Sequence, residues 1–150
     1  MKKDIFYEAF HDKTDKVEFF QSAHEDTFVH FHRCIELIYV TDGAIDCEVG
    51  EEKFRAKKDE LIFARKCAPH ALAAAPDFVN YVLIIGQRYS DDFLGIFQTE
   101  TLPAHLDDAE FNRSLLPHFE ALNHLRDTDS ELVKKGYINI IIGSLLAHYK

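Results

Sequence analysis

This chain of 150 residues holds little glycine or proline, six and four residues in all. It contains no Gly-rich loop of the kind that cradles a phosphate. Cysteine is also sparse, with three residues at positions 34, 47 and 67. An odd number fits a reducing cytoplasm better than a disulfide framework, and no paired Cys spacing for a zinc site appears. No apolar run approaches the roughly 18 residues that a membrane span needs. The longest, Tyr137 to Leu146, is interrupted by Asn139, Gly143 and Ser144. Met1-Lys2-Lys3-Asp4 is followed by no apolar stretch, so no signal peptide is read there. The expectation is a cytoplasmic protein with no membrane partner.

Positive charge is in deficit as well. Seventeen Lys and Arg stand against 26 Asp and Glu, for a net charge of −9. DNA binding rests on neutralising phosphates and releasing their counterions, which an acidic surface opposes. The densest basic stretch, Lys53 to Lys58, sits among acids. The chain by itself is not read as a nucleic-acid binder. It also lacks a nucleophile–base–acid triad.

What is present is bulk for a core. Apolar residues make up 47%, including thirteen Phe and six Tyr, in a chain of single-domain length. The pattern divides in two. From Val17 to Gly86, short β runs are punctuated by turns: Val17 to Phe20, Phe28 to Val40 as one or two strands, Ala44 to Val49, Lys53 to Lys57, Leu61 to Ala64, His70 to Ala73 and Phe78 to Ile85. Asp42-Gly43 reads as a hairpin turn and Gly50-Glu-Glu as another. Strands this short and this many argue for a sandwich or small barrel. From Pro103 onward the period becomes helical. Asp107-Asp108 can cap a first helix carrying Phe111, Leu115, Leu116, Phe119 and Leu122, with a kink or restart expected at Pro117. Thr128-Asp-Ser-Glu131 has the spacing of a capping box for a second helix carrying Leu132, Val133, Tyr137, Ile140, Ile141 and Leu145. The fold class is therefore mainly β with C-terminal α, a sandwich or small barrel over residues 1–102 and an antiparallel helical pair over 103–150. The second helix runs to Lys150 with no Gly, Asn or Pro to end it, and the native chain is read as continuing further.

Four polar residues stand out. His30, His32 and Glu36 have equal parity on an extended strand and so share a face, which Ile38 and Val40 continue as apolar lining. A second strand bringing in His70 would complete three imidazoles and one carboxylate. That set suits one divalent transition metal (Zn, Ni, Mn or Fe), or, without metal, a polar cluster reading a small ligand. Arg65 and Tyr81 are expected as further contacts to a hydroxylated or anionic effector. Cys34, Cys47 and Cys67 are read as reduced, half-buried small residues.

The spacing His30-x-His32-x-x-x-Glu36-x₆-Gly43 resembles the first cupin motif, and Pro69-His70 the end of the second. The resemblance implies a small cupin (double-stranded β-helix) barrel whose mouth holds a metal or organic ligand, with His30, His32, Glu36 and His70 at the ligand positions. The chain departs from the pattern where a Gly ahead of the first His would fall at His24. In the second motif Gly, Pro and a second Gly fall at Asp59, Arg65 and Cys67, and the closing Asn at Ala74, so turns of different construction are expected there. A narrower resemblance covers more of the chain. Phe31-His32-x-x-x-Glu36-Leu37-Ile38-Tyr39-Val40-x-x-Gly43, then Asp59-Glu60-Leu61-Ile62-Phe63 ahead of Pro69-His70, is similar to the N-terminal sensing domain of AraC-type transcriptional regulators. It implies a barrel that binds a small-molecule effector beneath an N-terminal arm, a homodimer formed through the C-terminal helices, and contact with DNA only through a helix-turn-helix domain absent from this chain. It implies a non-enzyme; the alternative is a stand-alone cupin metalloenzyme, an Fe or Mn dioxygenase or isomerase.

Overall fold

The computed structural model describes residues 5–9, 17–23, 26–87, 89, 96–97, 101–126 and 129–149. Much of the expected N-terminal arm (residues 1–4 and 10–16), His24 and Thr128 lie outside the described residues. In chain order the elements are β1 (Phe6–Tyr7), β2 (Val17–Ala23), β3 (Thr27–Phe31), β4 (Ile35–Asp42), β5 (Ala44–Val49), β6 (Glu52–Lys57), β7 (Leu61–Ala64), β8 (His70–Ala74), β9 (Val79–Ile85), β10 (His105–Leu106), α1 (Ala109–His124) and α2 (Glu131–His148). The strands form two five-stranded sheets, ordered β1-β3-β8-β5-β6 and β10-β7-β4-β9-β2. All pairings are antiparallel except β1 with β3. None of the described helices is long and apolar enough to cross a membrane.

The second sheet is buried on both faces, and the strand period of two sorts its residues. Along β4, Ile38 and Val40 turn inward and join Ile45, Cys47, Val49, Leu72, Val82 and Ile84 in the core between the sheets. Ile35, Leu37 and Tyr39 turn outward and join Leu83, Ile85 and the helices in a second core. In α1, Asn112, Leu115, Phe119 and Leu122 recur at helical spacing and are buried. In α2 the buried set is Ile138, Ile141, Ile142, Leu145 and Leu146. The helices are antiparallel, since His148 near the end of α2 contacts Asp108, the N-cap of α1, at 2.8 Å. Helix α1 runs unbroken through Pro117 rather than restarting there. Helix α2 is capped by Ser130, whose Oγ accepts from the Leu132 N–H. Strand β10 belongs to the sheet, so the segment after residue 102 begins as part of the barrel.

Two expected turns change meaning. Asp42-Gly43 is not a hairpin: β4 and β5 lie in different sheets, and the chain crosses between them at this corner. The left-handed conformation that Gly43 permits, with φ of 73°, serves a sheet crossing, and its Cα packs against the backbone of Asp77. The hairpin is β5–β6, closed at Gly50-Glu51 with Val49 opposite Glu52. Likewise, Phe28 to Val40 is two strands, and the break after Phe31 is where the chain passes from one sheet to the other.

The turns expected to differ where the cupin pattern has glycine keep the glycine conformation without the glycine. Asp59 and Cys67 have φ of 65° and 62°, and they are the non-Gly residues at positive φ among those described. Asp59 is compensated. Its carboxylate accepts from the Tyr39 hydroxyl at 2.8 Å and the Arg113 Nε at 3.1 Å, and its carbonyl accepts from Asn112 Nδ2 at 3.0 Å. Asn112 Oδ1 in turn accepts from the Tyr149 hydroxyl at 2.9 Å, so one buried aspartate ties the barrel to both helices. Cys67 is exposed. Replacing Cys67 by Gly is therefore expected to stabilise the protein by up to about 1 kcal/mol, relief of left-handed strain less the entropy of glycine. Gly43→Ala adds left-handed strain and drives Cβ against the Asp77 carbonyl, and is expected to cost about 2 kcal/mol or more. Urea unfolding midpoints measure both; a Cys67→Gly protein that unfolds earlier than its parent would show that the Cys67 side chain outweighs its strained backbone.

Candidate metal and ligand site

The four polar residues come together, but not from one strand face. His30 is on β3, His32 is in the crossing after it, Glu36 is on β4 and His70 opens β8, directly opposite His30. The crossing swings His32 and Glu36 back towards His30, which parity along a single strand does not describe. All four are buried, and one donor atom from each lies within 4.8 Å of the others. The His30 and His70 rings are 4.2 Å apart between centroids, and His32 and His70 are 5.0 Å apart.

The hydrogen bonds of the rings orient them. His30 Nδ1 lies 2.7 Å from the Phe28 carbonyl, His32 Nδ1 3.1 Å from that of Cys34 and His70 Nδ1 2.9 Å from that of Ala68. A carbonyl only accepts, so each Nδ1 carries the proton and each Nε2 faces inward. His32 Nε2 is 2.9 Å and His70 Nε2 3.2 Å from Glu36 Oε2, and His30 Nε2 is 3.4 Å from Glu8 Oε2. Burial penalises the Glu36 carboxylate, yet the bonds from His32 and His70 outweigh it and hold the group ionised well below the usual carboxylate range. For His70, burial opposes the charge and the Glu36 carboxylate more than restores it, raising its pKa. For His30, burial, with His70 beside it, lowers the pKa.

This donor set fits a metal. With Nδ1–H already donated, an Nε2 bond to Glu36 requires a second proton on both His32 and His70, which places two imidazolium cations around one buried carboxylate. One divalent ion would replace both protons, held by the lone pairs that the Nδ1 bonds have aimed inward, as backbone carbonyls orient metal-bound histidines. The 4.8 Å spread is close to the ~4.2 Å between opposite ligands of an ion with bonds of about 2.1 Å. Three imidazoles and a carboxylate suit Zn, Ni, Mn or Fe without selecting among them.

A cavity of about 310 Å³ runs from this cluster through the barrel lumen. His30 and Glu36 line one end, Ile38, Val82 and Phe78 its length, and Asn80 with Ser22 the far end, where Ser22 Oγ donates to Asn80 Oδ1 at 2.9 Å. The other two expected contacts lie elsewhere. Tyr81 has odd parity and points to the helical side, stacked on Phe19 at 5.5 Å. Arg65 is exposed and lines a separate surface cavity of about 890 Å³ with Cys67, Phe97 and Leu102. Sequence reasoning missed Ser22 and Asn80; their parity on β2 and β9 carried the signal, but only with the register between the strands. Of the cysteines, Cys34 and Cys47 are buried, and burial pushes the Cys47 thiol up to about 12.

Residues 19–85 match the family model described as the cupin domain. The fold is accordingly of cupin type, two sheets of mainly antiparallel strands forming a double-stranded β-helix, followed by a helical pair. No curated protein matches the chain. Among solved structures, ToxT from Vibrio cholerae is similar over 89% of this chain and 57% of its own, with a TM-score of 0.52 and 11% identity. An RmlC-like cupin from Shewanella frigidimarina NCIMB 400 is similar over 53% of this chain and 73% of its own (TM-score 0.44, 16% identity). An RmlC-like cupin family protein from Methanocaldococcus jannaschii covers 53% and 78% (TM-score 0.43, 8% identity). The chain spans little more than half of ToxT, and the similarity to it extends beyond the cupin domain.

Co(II) added to metal-free protein is expected to bind one ion per chain, raise the melting temperature and give visible absorption bands. Glu36→Gln and His70→Ala should each weaken binding about tenfold or more. Undiminished Co(II) affinity in both variants would exclude this cupin site.

Proposed function

We propose that this chain is the effector-sensing and dimerising part of an AraC-type transcriptional regulator. Residues 1–102 would form the effector barrel with its N-terminal arm, and 103–150 the dimerisation segment. The observation that carries the reading is a cupin lumen joined by one continuous core to a C-terminal helical pair. The same order recurs over 89% of the chain in ToxT, which is an AraC-family regulator. The net charge of −9 opposes direct DNA contact by this chain and so supports the reading of it as the sensing part.

In this reading a small molecule enters the lumen beside His30, His32, Glu36 and His70. Strand β1 supports an arm that covers it, since Phe6 pairs opposite His30 and Glu8 approaches the His30 ring. A bound divalent metal would be held by the four cluster residues and would supply a Lewis-acidic anchor for ligand oxygen. Ligand binding acts only if it prefers one arrangement of the helices over another. The partner is a second copy of the chain. Opposite its buried face, α2 carries Val133, Gly136, Ile140, Gly143 and Ala147 at alternating spacings of three and four, with Val133 and Ile140 exposed and both glycines facing open space.

The runner-up is a cupin metalloenzyme, favoured by the complete three-His, one-Glu donor set. The two readings part under one pair of variants. His32→Ala with Glu36→Ala is expected to abolish the melting-temperature rise that an effector produces, with no turnover lost; a metal-dependent turnover that vanishes in the same variant would support the enzyme. Val133→Glu with Ile140→Glu is expected to convert a dimer to monomer in sedimentation velocity while leaving the fold intact by circular dichroism. An unchanged dimer would rule out this helix face.

A further inference from the structure

Away from the His/Glu cluster, the lumen ends on a buried amide with a donor to spare. Asn80 on β9 lies opposite Ser22 of β2 and Val40 of β4, and like Val40 it faces inward. It is 2% exposed. Its Oδ1 accepts from Ser22 Oγ at 2.9 Å, and no described residue accepts from its Nδ2. Every fully enclosed side-chain nitrogen and oxygen among the described residues has a partner, so Nδ2 is open to the cavity that Asn80 lines. A buried amide hydrogen left unpaired costs free energy that an acceptor in the cavity restores.

The walls decide what carries that acceptor. Val82 and Ile84 on β9 and Ile38 on β4 continue the inward row from Asn80 back to Glu36, and all three are buried and apolar. Ile84 stands opposite Glu36, and the step from residue 84 to residue 80 is about 13 Å of strand. The Glu36 and Asn80 side chains take up part of that length and leave room for a short chain. The cavity, at about 310 Å³, is at the small end of the roughly 300–1,000 Å³ range of ligand sites. Asp26, in the connection from β2 to β3, lines this end too, its Oδ1 accepting from the Ala74 N–H at 2.7 Å. A ligand carboxylate beside Asn80 would meet it as like charge, so the oxygen read there is uncharged.

We infer that the lumen takes a short ligand oxygenated at both ends. One oxygen sits at the His/Glu cluster, an apolar chain follows Ile38 and Val82, and an uncharged hydroxyl or carbonyl oxygen accepts from Asn80 Nδ2. Ser22 is a positioning residue: it holds the amide oxygen and so aims the amide nitrogen into the cavity. This inference rests on the reading of the lumen as an effector site and adds the chemical class and the residue that reads its far end.

The test is a series of one shape titrated calorimetrically into the full chain. Three tails, hydroxyl, methyl and ammonium, are compared on a carboxylate head (6-hydroxyhexanoate, heptanoate and 6-aminohexanoate) and on a hydroxyl head (1,6-hexanediol, 1-heptanol and 6-amino-1-hexanol). With the head that binds better, the hydroxyl tail is expected to bind about tenfold or more above the other two. Asn80→Leu should remove that preference while the methyl tail still binds, and Ser22→Ala should weaken it. Asn80→Asp, of the same shape, should turn the preference to the ammonium tail and serves if the Leu variant fails to fold. In Co(II)-loaded protein the ligand is expected to shift the visible bands; unshifted bands overturn the placement of its head. Equal binding of hydroxyl and methyl tails, an ammonium preference in the parent protein, a hydroxyl preference that survives Asn80→Leu, or no binding of any member overturns the inference. Binding that ignores the tail but is lost when Val82→Phe fills the lumen overturns the far-end reading and leaves the effector site standing. Hydroxyl-selective binding that leaves the sedimentation of the dimer and the proteolysis of the helices unchanged supports the ligand class and removes the sensor reading.

Discussion

The structure depends on the pleat of one sheet. Strands β4, β9 and β2 each send alternate residues to opposite sides, and both sides are occupied, by the lumen inward and by the helices outward. A shift of one residue in the register of β4 would put Glu36 among helical side chains and Leu37 in the lumen. Site and helical layer therefore share one constraint. The strand that carries the site carboxylate also carries Tyr39, whose hydroxyl donates to Asp59 and so meets the network gripping α1 and α2.

Inside the cluster, electrostatics and geometry agree on a cation. A buried carboxylate between imidazole nitrogens is tolerable only if protons or a metal ion supply positive charge. The three Nδ1–carbonyl bonds have committed one proton per ring, which leaves the inward nitrogens as lone pairs unless each takes a second. The same arrangement serves a receptor that anchors its ligand and an enzyme that activates one. Outward of the site, helix α2 has a second apolar face and Asp59 clamps the helices to the barrel, features that a receptor transmitting its state to a partner uses and that turnover at the site does not.

Much of this was legible in the sequence because it follows from local rules. The strand runs of β6, β7 and β9, the change from strand to helical period near Pro103 and the Asp108 cap are matters of alternation, periodicity and one polar side chain at the right place. The four cluster residues were legible through their spacing, although parity holds only within β4, for Glu36, Ile38 and Val40. What was not legible is which sheet a strand joins. Asp42-Gly43 signals a left-handed turn, but the sequence does not say whether that turn folds a strand onto its neighbour or sends it across the barrel. The inward side expected for Tyr81 fails because the sequence does not carry the register of β9 against β4; with Tyr39 opposite Tyr81, both face the helices. The left-handed backbone at Asp59 and Cys67 was unreadable for a different reason: neither residue prefers it, and the surroundings impose it.

The orientation of the histidines carries a further consequence. Each ring is anchored to a carbonyl only two residues away in its own chain, Phe28 for His30, Cys34 for His32 and Ala68 for His70. The His30 and His70 rings are thus tied to β3 and to the start of β8, and the His32 ring to the crossing that enters β4, instead of swivelling freely. The width of the gap between the inward nitrogens is then a measure of how closely β3, β4 and β8 approach, and the barrel wall acts as a gauge. An ion of the wrong radius would therefore strain hydrogen-bonded backbone and not only a side-chain torsion.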